Sequence, residues 1–527
     1  MALAMLMASM ASMPAVCAAS EHQASAAAHH EASATASLRD TDLERCRALR
    51  AGLDERIGAS GLGDPRHHRR LDVPWLRTDR FLAQELRRAL ADRETRAVDV
   101  ILGFMSELDA AALERETERL STDEPVASAA PVTSAVKVDD ELAACRRQAL
   151  DALRAQPPAL LRETAAAAVP DQYSILRRIL GGYFFAQPFL RAGARGWARS
   201  ERAAIEALEP LESVPHRLFV PEARSNAGPT DIAWLLRAMR DRHPLAWPQP
   251  SPQERDLLAA RFAPALAVDS DARADRIGRL EGLRGGPVVR TARPVAAVDT
   301  HLVRWGEHVL LQLSYTFWFP ERPRTGPLDP YGGAVDGIVW RVTLGDDGRP
   351  LLWDSIHPCG CYHTLFLPAD RALRIATVDP AREERPLVLP GPPADAAVRV
   401  RYSPSTHHVR ELAAVQMAGH GSGLAAGASK EEEGAAQSSG ATRRVGYRLE
   451  PYTRLLEAAP DRPPFGPDGL LAGTERLERL FLWPSGIDSP GAMRSAGRQP
   501  IAFLGRRHFE SAELIDGLLR PVPSPER

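Results

Sequence analysis

The hydrophobic period of this chain changes once, near Gly285, from the three-to-four-residue spacing of helices to the two-residue alternation of strands. A chain that does this must pack two kinds of layer around its cores. Before the change, Asp40-Thr41-Asp42 precedes LERCRALRAGLDERI, in which Leu43, Cys46, Leu49 and Leu53 recur at helical spacing between Arg and Glu. Similar periodicity runs through RFLAQELRRALADR, VDVILGFMSELDAAALERETERL, ELAACRRQALDALRA, the run from Tyr173 to Phe189, and TDIAWLLRAMRDR. Each predicts an amphipathic helix with one buried stripe. Residues 121–137 are Ser/Ala/Pro/Val without periodicity and predict a flexible excursion, and Pro244, Pro248, Pro250 and Pro252 punctuate the end of the region.

After the change, HLVRWGEHVLLQLSYTFWFP has the aromatic and branched density of a buried strand pair. GAVDGIVWRVTL and RPLLWDSI flank Gly-Asp-Asp-Gly, a hairpin signature. ALRIATV, RPLVLP, AAVRVRYS and RRVGYRLEPY are further strand candidates, and the last segment ends in a short helix around Ala512–Leu519. The stretch 417–442 offers no core-forming residues and predicts a disordered insertion. The expected fold is therefore α+β: an α-helical domain over 38–283, then a mostly antiparallel β-rich domain over 284–527.

At 527 residues, 44% hydrophobic and 25% charged, the chain reads as an ordinary globular protein of more than one domain. A net charge of -2 supplies no field to attract nucleic acid, which excludes that partner class. The first twenty residues, MALAMLMASMASMPAVCAAS, have the apolar run and small-residue exit of a signal peptide, although no Lys or Arg precedes the run. A low-complexity linker over 21–37 follows, and Cys17 is a candidate lipid anchor. No later segment approaches the ~20 apolar residues of a membrane span. The expected location is the periplasm or cell envelope.

Export makes cysteine pairing meaningful. Cys46 and Cys145, in separate helical stretches, are the natural structural pair, whereas Cys359 and Cys361 join only through a tight, strained ring. The latter two lie in His357-Pro358-Cys359-Gly360-Cys361-Tyr362-His363, the densest collection of metal-binding and nucleophilic side chains in the chain. It follows the second hairpin strand directly, so it opens a loop at one end of the sheet. In an extended chain His357, Cys359, Cys361 and His363 share a face, and Gly360 supplies the kink that brings them closer. The candidate ligands for zinc or copper are these four with His407 and His408, paired imidazoles at another strand end. The competing reading is a structural or redox-active Cys359–Cys361 disulfide within a non-enzymatic envelope interaction module. A catalytic Cys–His pair lacks any companion signature.

His301, His308, His508, Asp329, Asp336 and Asp354 are secondary candidates near these elements. Tyr315, Trp318, Phe319, Trp340 and Trp353 sit at strand positions that pack a sheet more readily than they present a ligand platform. There is no Walker loop, GxGxxG, HExxH, GxSxG or EF-hand loop, and no reaction is implied by motif.

Overall fold

A computed structural model describes residues 42–69, 73–123, 135–166, 169–225, 227–283, 285–377, 379, 383–415, 442–457 and 463–522. The expected signal peptide, the 21–37 linker and Cys17 lie outside the described residues, as do positions 417–441 of the expected insertion.

The chain opens with α1 (42–60), α2 (Arg80–Asp92), α3 (Thr95–Asp123), α4 (Ala135–Arg154) and α5 (Pro158–Ala166). Both ends of the expected excursion at 121–137 are thus helical, and positions 124–134 lie outside the described residues. Asp79 caps α2 by accepting the Leu82 N–H at 2.7 Å. The α2 stripe of Phe81, Leu82, Leu86 and Leu90 packs on Ile101, Leu102 and Met105 of α3. Cys46 and Cys145 form a disulfide between α1 and α4, with Cα atoms 5.4 Å apart. Beneath it the buried Arg50 holds Asp109, while Arg77 bridges Asp109 at 3.2 Å and Glu116 at 2.6 Å.

The run from Tyr173 to Phe189 does not form one helix with a buried stripe. It breaks at Gly181-Gly182 into α6 (Ile175–Leu180) and α7 (Tyr183–Glu206), with Gly182 at φ +57°. The face of α7 turned to the protein carries Leu190, Trp197 and Glu201, so the Phe184, Phe185 and Phe189 stripe is left outside. Two further helices, α8 (Pro229–Arg242) and α9 (Pro252–Phe262), cover one face of the sheet.

The sheet has eleven strands. In chain order they are β1 (His216–Pro221), β2 (Ala265–Val268), β3 (Val295–Trp305), β4 (His308–Arg322), β5 (Gly333–Leu344), β6 (Pro350–Ile356), β7 (Thr364–Pro368), β8 (Leu387–Gly391), β9 (Val398–Tyr402), β10 (Val409–Ala414) and β11 (Thr442–Pro451). Their spatial order is β8-β7-β6-β5-β4-β3-β11-β1-β2-β9-β10, and edge strands β8 and β10 approach each other, so the sheet is nearly closed. β3 to β7 form the antiparallel meander that the hairpin signals predict. The whole is nevertheless mixed rather than mostly antiparallel, because β11 pairs parallel with both β1 and β3, β9 with β2, and β7 with β8. Hairpin turns are local and readable in sequence. A strand that returns from far along the chain to slot between two others leaves no such signal. β1 and β2 also come from before the change of period, so the sheet recruits strands from the helical region.

The long apolar run of β4 is explained by burial on both faces. Leu311, Leu313, Tyr315, Phe317 and Phe319 face Ile232, Leu236, Met239, Leu258 and Phe262 of α8 and α9. On the opposite face, Val303, Leu310 and Val339 meet Ile501, Phe509, Leu514 and Ile515 of the C-terminal segment. The five aromatics of the strand region are all core residues, each no more than 1% exposed.

Candidate functional site

The His/Cys segment spans the turn from β6 to β7, where the backbone closes on itself through His357 N–H to the Cys361 carbonyl at 3.0 Å and Gly360 N–H to the His357 carbonyl at 2.7 Å. Gly360 has φ +95°, and a Cβ there would lie 2.0 Å from the Pro500 carbonyl oxygen, so only glycine fits. The kink expected at Gly360 is present, but it lays the turn beneath the C-terminal segment instead of opening it to solvent. His357, Cys359, His363, His407 and His408 are all buried, and Cys361 is half-buried.

The structure brings His407 and His408 to this turn, as their position at a strand end predicts. His408 stacks near Tyr362 with ring centroids 4.3 Å apart and lies 5.5 Å from the His357 ring. Each imidazole, however, lies against a carboxylate, with Asp336 shared by His357 and His407. His363 Nε2 is 3.1 Å from Asp354 Oδ2, His357 Nδ1 is 3.2 Å from Asp336 Oδ1, and His408 Nδ1 is 2.7 Å from Glu201 Oε1. His407 lies between two, with Nδ1 2.8 Å from Asp336 and Nε2 3.3 Å from Asp275, and its ring stacks flat on Phe319 at 4.0 Å. Burial disfavours charge on His407, but hydrogen bonds to Asp275 and Asp336 outweigh it and raise its pKa. Burial also opposes charge on Asp336, yet the neighbouring His357 and His407 hold its carboxyl well below the usual range. His408 is pushed down to about 4 by burial, which Glu201 only partly offsets.

Cys359 and Cys361 are unjoined thiols, and Cys361 is pushed well above the usual thiol range by its hydrogen bond with Cys359 and by burial. Among the described residues there is no group of three or more His, Cys, Asp or Glu side chains placed to hold a metal ion. The expected zinc or copper ligands His357, Cys359, Cys361, His363, His407 and His408 are therefore gathered in one neighbourhood but not assembled as a coordination set. The imidazole nitrogens are instead engaged by the carboxylates Asp275, Asp336, Asp354 and Glu201, of which only Asp354 is close to the turn in the chain. The turn is a buried polar junction that ties β5, β6, β9 and α7 together. Its backbone is strained to match: Val335, Tyr362, Ser405 and His407 all have positive φ.

The accessible chemistry lies elsewhere. A cleft of about 410 Å³ opens between the helical layer and β3, lined by the aromatic rings of Phe81, Phe104 and Trp247 and by the polar side chains of Asp79, Asp299 and His301. His67 and Arg66, from the segment before α2, close one end. A narrower extension continues past His68 and Arg80 to Gly497 and Glu510. The aromatic wall is pre-formed: Phe81 meets Trp247 edge-on at 4.9 Å, and Phe104 stacks on His243 at 4.8 Å. Arg66 is committed to Asp64 at 2.9 Å and to Asp299 at 3.6 Å.

Burial perturbs several titratable groups of this cleft. Burial raises the pKa of Asp79 although the Leu82 N–H and the nearby His301 oppose the rise. Burial lowers His67 to about 4, with Arg66 adding to the effect, and lowers His68 to about 2. At neutral pH both imidazoles are therefore uncharged. His67 Nδ1, His68 Nε2 and Glu510 Oε2 are buried without a hydrogen-bond partner. Of these residues only His301 stands out in the sequence. His67 and His68 lie in an unremarkable Arg/His run, and Asp79 is the N-cap of α2.

Comparison with known protein families, curated proteins and solved structures finds no match for this chain. The fold and its cleft define a class, an α+β protein with a nearly closed mixed sheet and a helical layer packed across it, and no relative assigns it a role.

Proposed function

We propose that this chain is an exported cell-envelope protein that binds a small cyclic ligand bearing hydroxyl or acid groups in the cleft between its helical layer and its sheet. The observation that carries this reading is the cleft itself. Three separate segments bring His67, Asp79 and His301 into one cleft with Phe81, Phe104 and Trp247. Concave sites with an apolar wall and a few convergent polar groups are where small ligands bind. The flat aromatic wall suits a ring, and the unpartnered His67 nitrogen and the carboxyl of Asp79 suit polar substituents as donor or acceptor. An uncharged imidazole and a carboxyl group of raised pKa lining the same cleft are also the equipment for moving a proton. Export is supported by the signal-like leader and by the Cys46–Cys145 disulfide, which persists in an oxidising compartment.

The test is a thermal-shift screen of sugars, cyclic polyols and aromatic acids on wild type and on the His301→Leu and Trp247→Ala variants. A hit that raises the wild-type melting temperature and loses its effect in both variants supports the reading. Hits that stabilise all three proteins equally contradict it.

A further inference from the structure

The surface of α6 and α7 carries an apolar face that no described residue covers. Ile175, Leu176, Ile179 and Leu180 are 60–70% exposed, and Phe184, Phe185 and Phe189 are 77–79% exposed. The first set falls at i, i+1, i+4 and i+5 and the second at i, i+1 and i+5, so each helix presents a single stripe. Leu480, Phe481 and Trp483 extend the face: Pro484 lies against Gly181, where a Cβ would be 2.8 Å from its Cα, and Ser174 N–H bonds the Gly486 carbonyl at 2.8 Å. Proteins seldom expose so many large apolar side chains together without a purpose.

The base of this hairpin is rigid. The Arg178 guanidinium stacks over the Tyr173 ring at 5.1 Å and the Tyr183 ring at 4.5 Å, and its Nε donates to the Ser485 carbonyl at 2.7 Å. The apolar tips are therefore held outward. The two helices carry one sign of charge up to residue 200. From 175 to 200 the chain contains Arg177, Arg178, Arg191, Arg195 and Arg199 and no Asp or Glu. Arg195 and Arg199 are exposed along α7, while the nearby Asp488 is already paired with Arg177.

From this we propose that the α6–α7 face docks on an anionic phospholipid bilayer, lying in the interface without crossing it. Apolar side chains projecting from a short helical hairpin, a Trp at the rim and a basic flank are the physical requirements for interfacial binding. No described helix is long and apolar enough to cross a membrane, so the contact is peripheral. A second copy of this chain would bring the same arginines against each other, and the charge complementarity selects the anionic surface instead.

The experiment is vesicle co-sedimentation of the full chain in a Cys17→Ser background, which removes any lipid anchor while every protein keeps the same N-terminus. The vesicles are phosphatidylglycerol with phosphatidylethanolamine, and phosphatidylcholine alone. The expected result is binding to the anionic vesicles that weakens with salt. Phe184→Ser/Phe185→Ser/Phe189→Ser should weaken binding at least about a hundredfold, because each removes a large ring from the apolar contact. As these rings are exposed, circular dichroism should be unchanged. Arg195→Glu/Arg199→Glu should reduce binding to anionic vesicles alone. Equal binding by wild type and the Phe variant would overturn the proposal. So would a wild-type dimer in sedimentation velocity that the Phe variant turns to monomer, which would make the face a contact between copies.

Discussion

Asp354 offers the sharpest test of the structural role assigned to the His/Cys turn. It stands directly opposite Arg341 in the β5–β6 pairing, and both side chains are about 1% exposed. Arg341 Nε and Nη2 donate to the two carboxylate oxygens at 2.9 and 2.5 Å, while Nη1 donates to the Phe509 carbonyl at 2.6 Å. The guanidinium also lies 3.5 Å from the centre of the Phe509 ring, and Asp354 holds His363. Asp354→Ala leaves the guanidinium buried without its counter-charge, which costs about 3–5 kcal/mol, and removes the hydrogen bond to His363, worth about 1 kcal/mol more. Arg341→Met/Asp354→Leu removes both charges, fills the space, and should lie within about 2 kcal/mol of wild type. Urea unfolding followed by tryptophan fluorescence reports this directly, since Trp340 and Trp353 sit on the same two strands. Closed with the Arg341→Met and Asp354→Leu single variants, the cycle should show a coupling of at least about 2 kcal/mol. If Asp354→Ala costs less than about 1 kcal/mol, or the double variant is as damaged as the single, this ion pair does not anchor the turn.

Three further outcomes follow from the geometry. Gly360→Ala should destabilise by more than about 3 kcal/mol in the same unfolding assay, because its Cβ would press on the Pro500 carbonyl from a left-handed backbone; a neutral effect would deny the close approach. Opening the Cys46–Cys145 bridge, which spans 99 residues, with Cys46→Ser/Cys145→Ser should lower stability by roughly 4 kcal/mol, and alkylation in denaturant before reduction should label Cys359 and Cys361 but not this pair. His407 has a raised pKa in the folded protein, so its ion pairs contribute fully below about pH 6.5 and are lost as pH rises through the raised value. The melting-temperature gap between wild type and His407→Gln should therefore be widest in mild acid and shrink in alkali, and a gap that widens with pH would reverse the assignment.

How far the sequence could be read follows from the range of the interactions involved. The helix of α2 and the β5–β6 hairpin are local, and their spacing and turn residues announce them. The Cys46–Cys145 pair follows from two cysteines on adjacent amphipathic stripes. The mixed sheet does not, because β11 is placed by contacts with strands more than a hundred residues away. The α6–α7 run carries a proper apolar stripe, but periodicity cannot say whether a stripe meets the protein or faces outward. The His/Cys turn was legible as chemistry and not as geometry. Nothing near it in the chain reveals that Asp275, Asp336 and Glu201 would each claim an imidazole. The cleft was hidden for the opposite reason: its wall residues are ordinary in type and become a site only when three segments converge.

The account's central claim is that the accessible reactive groups are in the cleft while the His/Cys turn is a sealed structural junction. Histidine modification by diethyl pyrocarbonate at neutral pH, resolved by peptide mass spectrometry, tests it most directly. The exposed His308 serves as the reference for full reactivity. The half-buried cleft residues His67 and His301 should be modified next, the first because its imidazole is uncharged, and His357, His363, His407 and His408 should stay unmodified until the protein unfolds. Modification of the turn histidines as fast as His301, with His67 and His301 protected, would contradict the account.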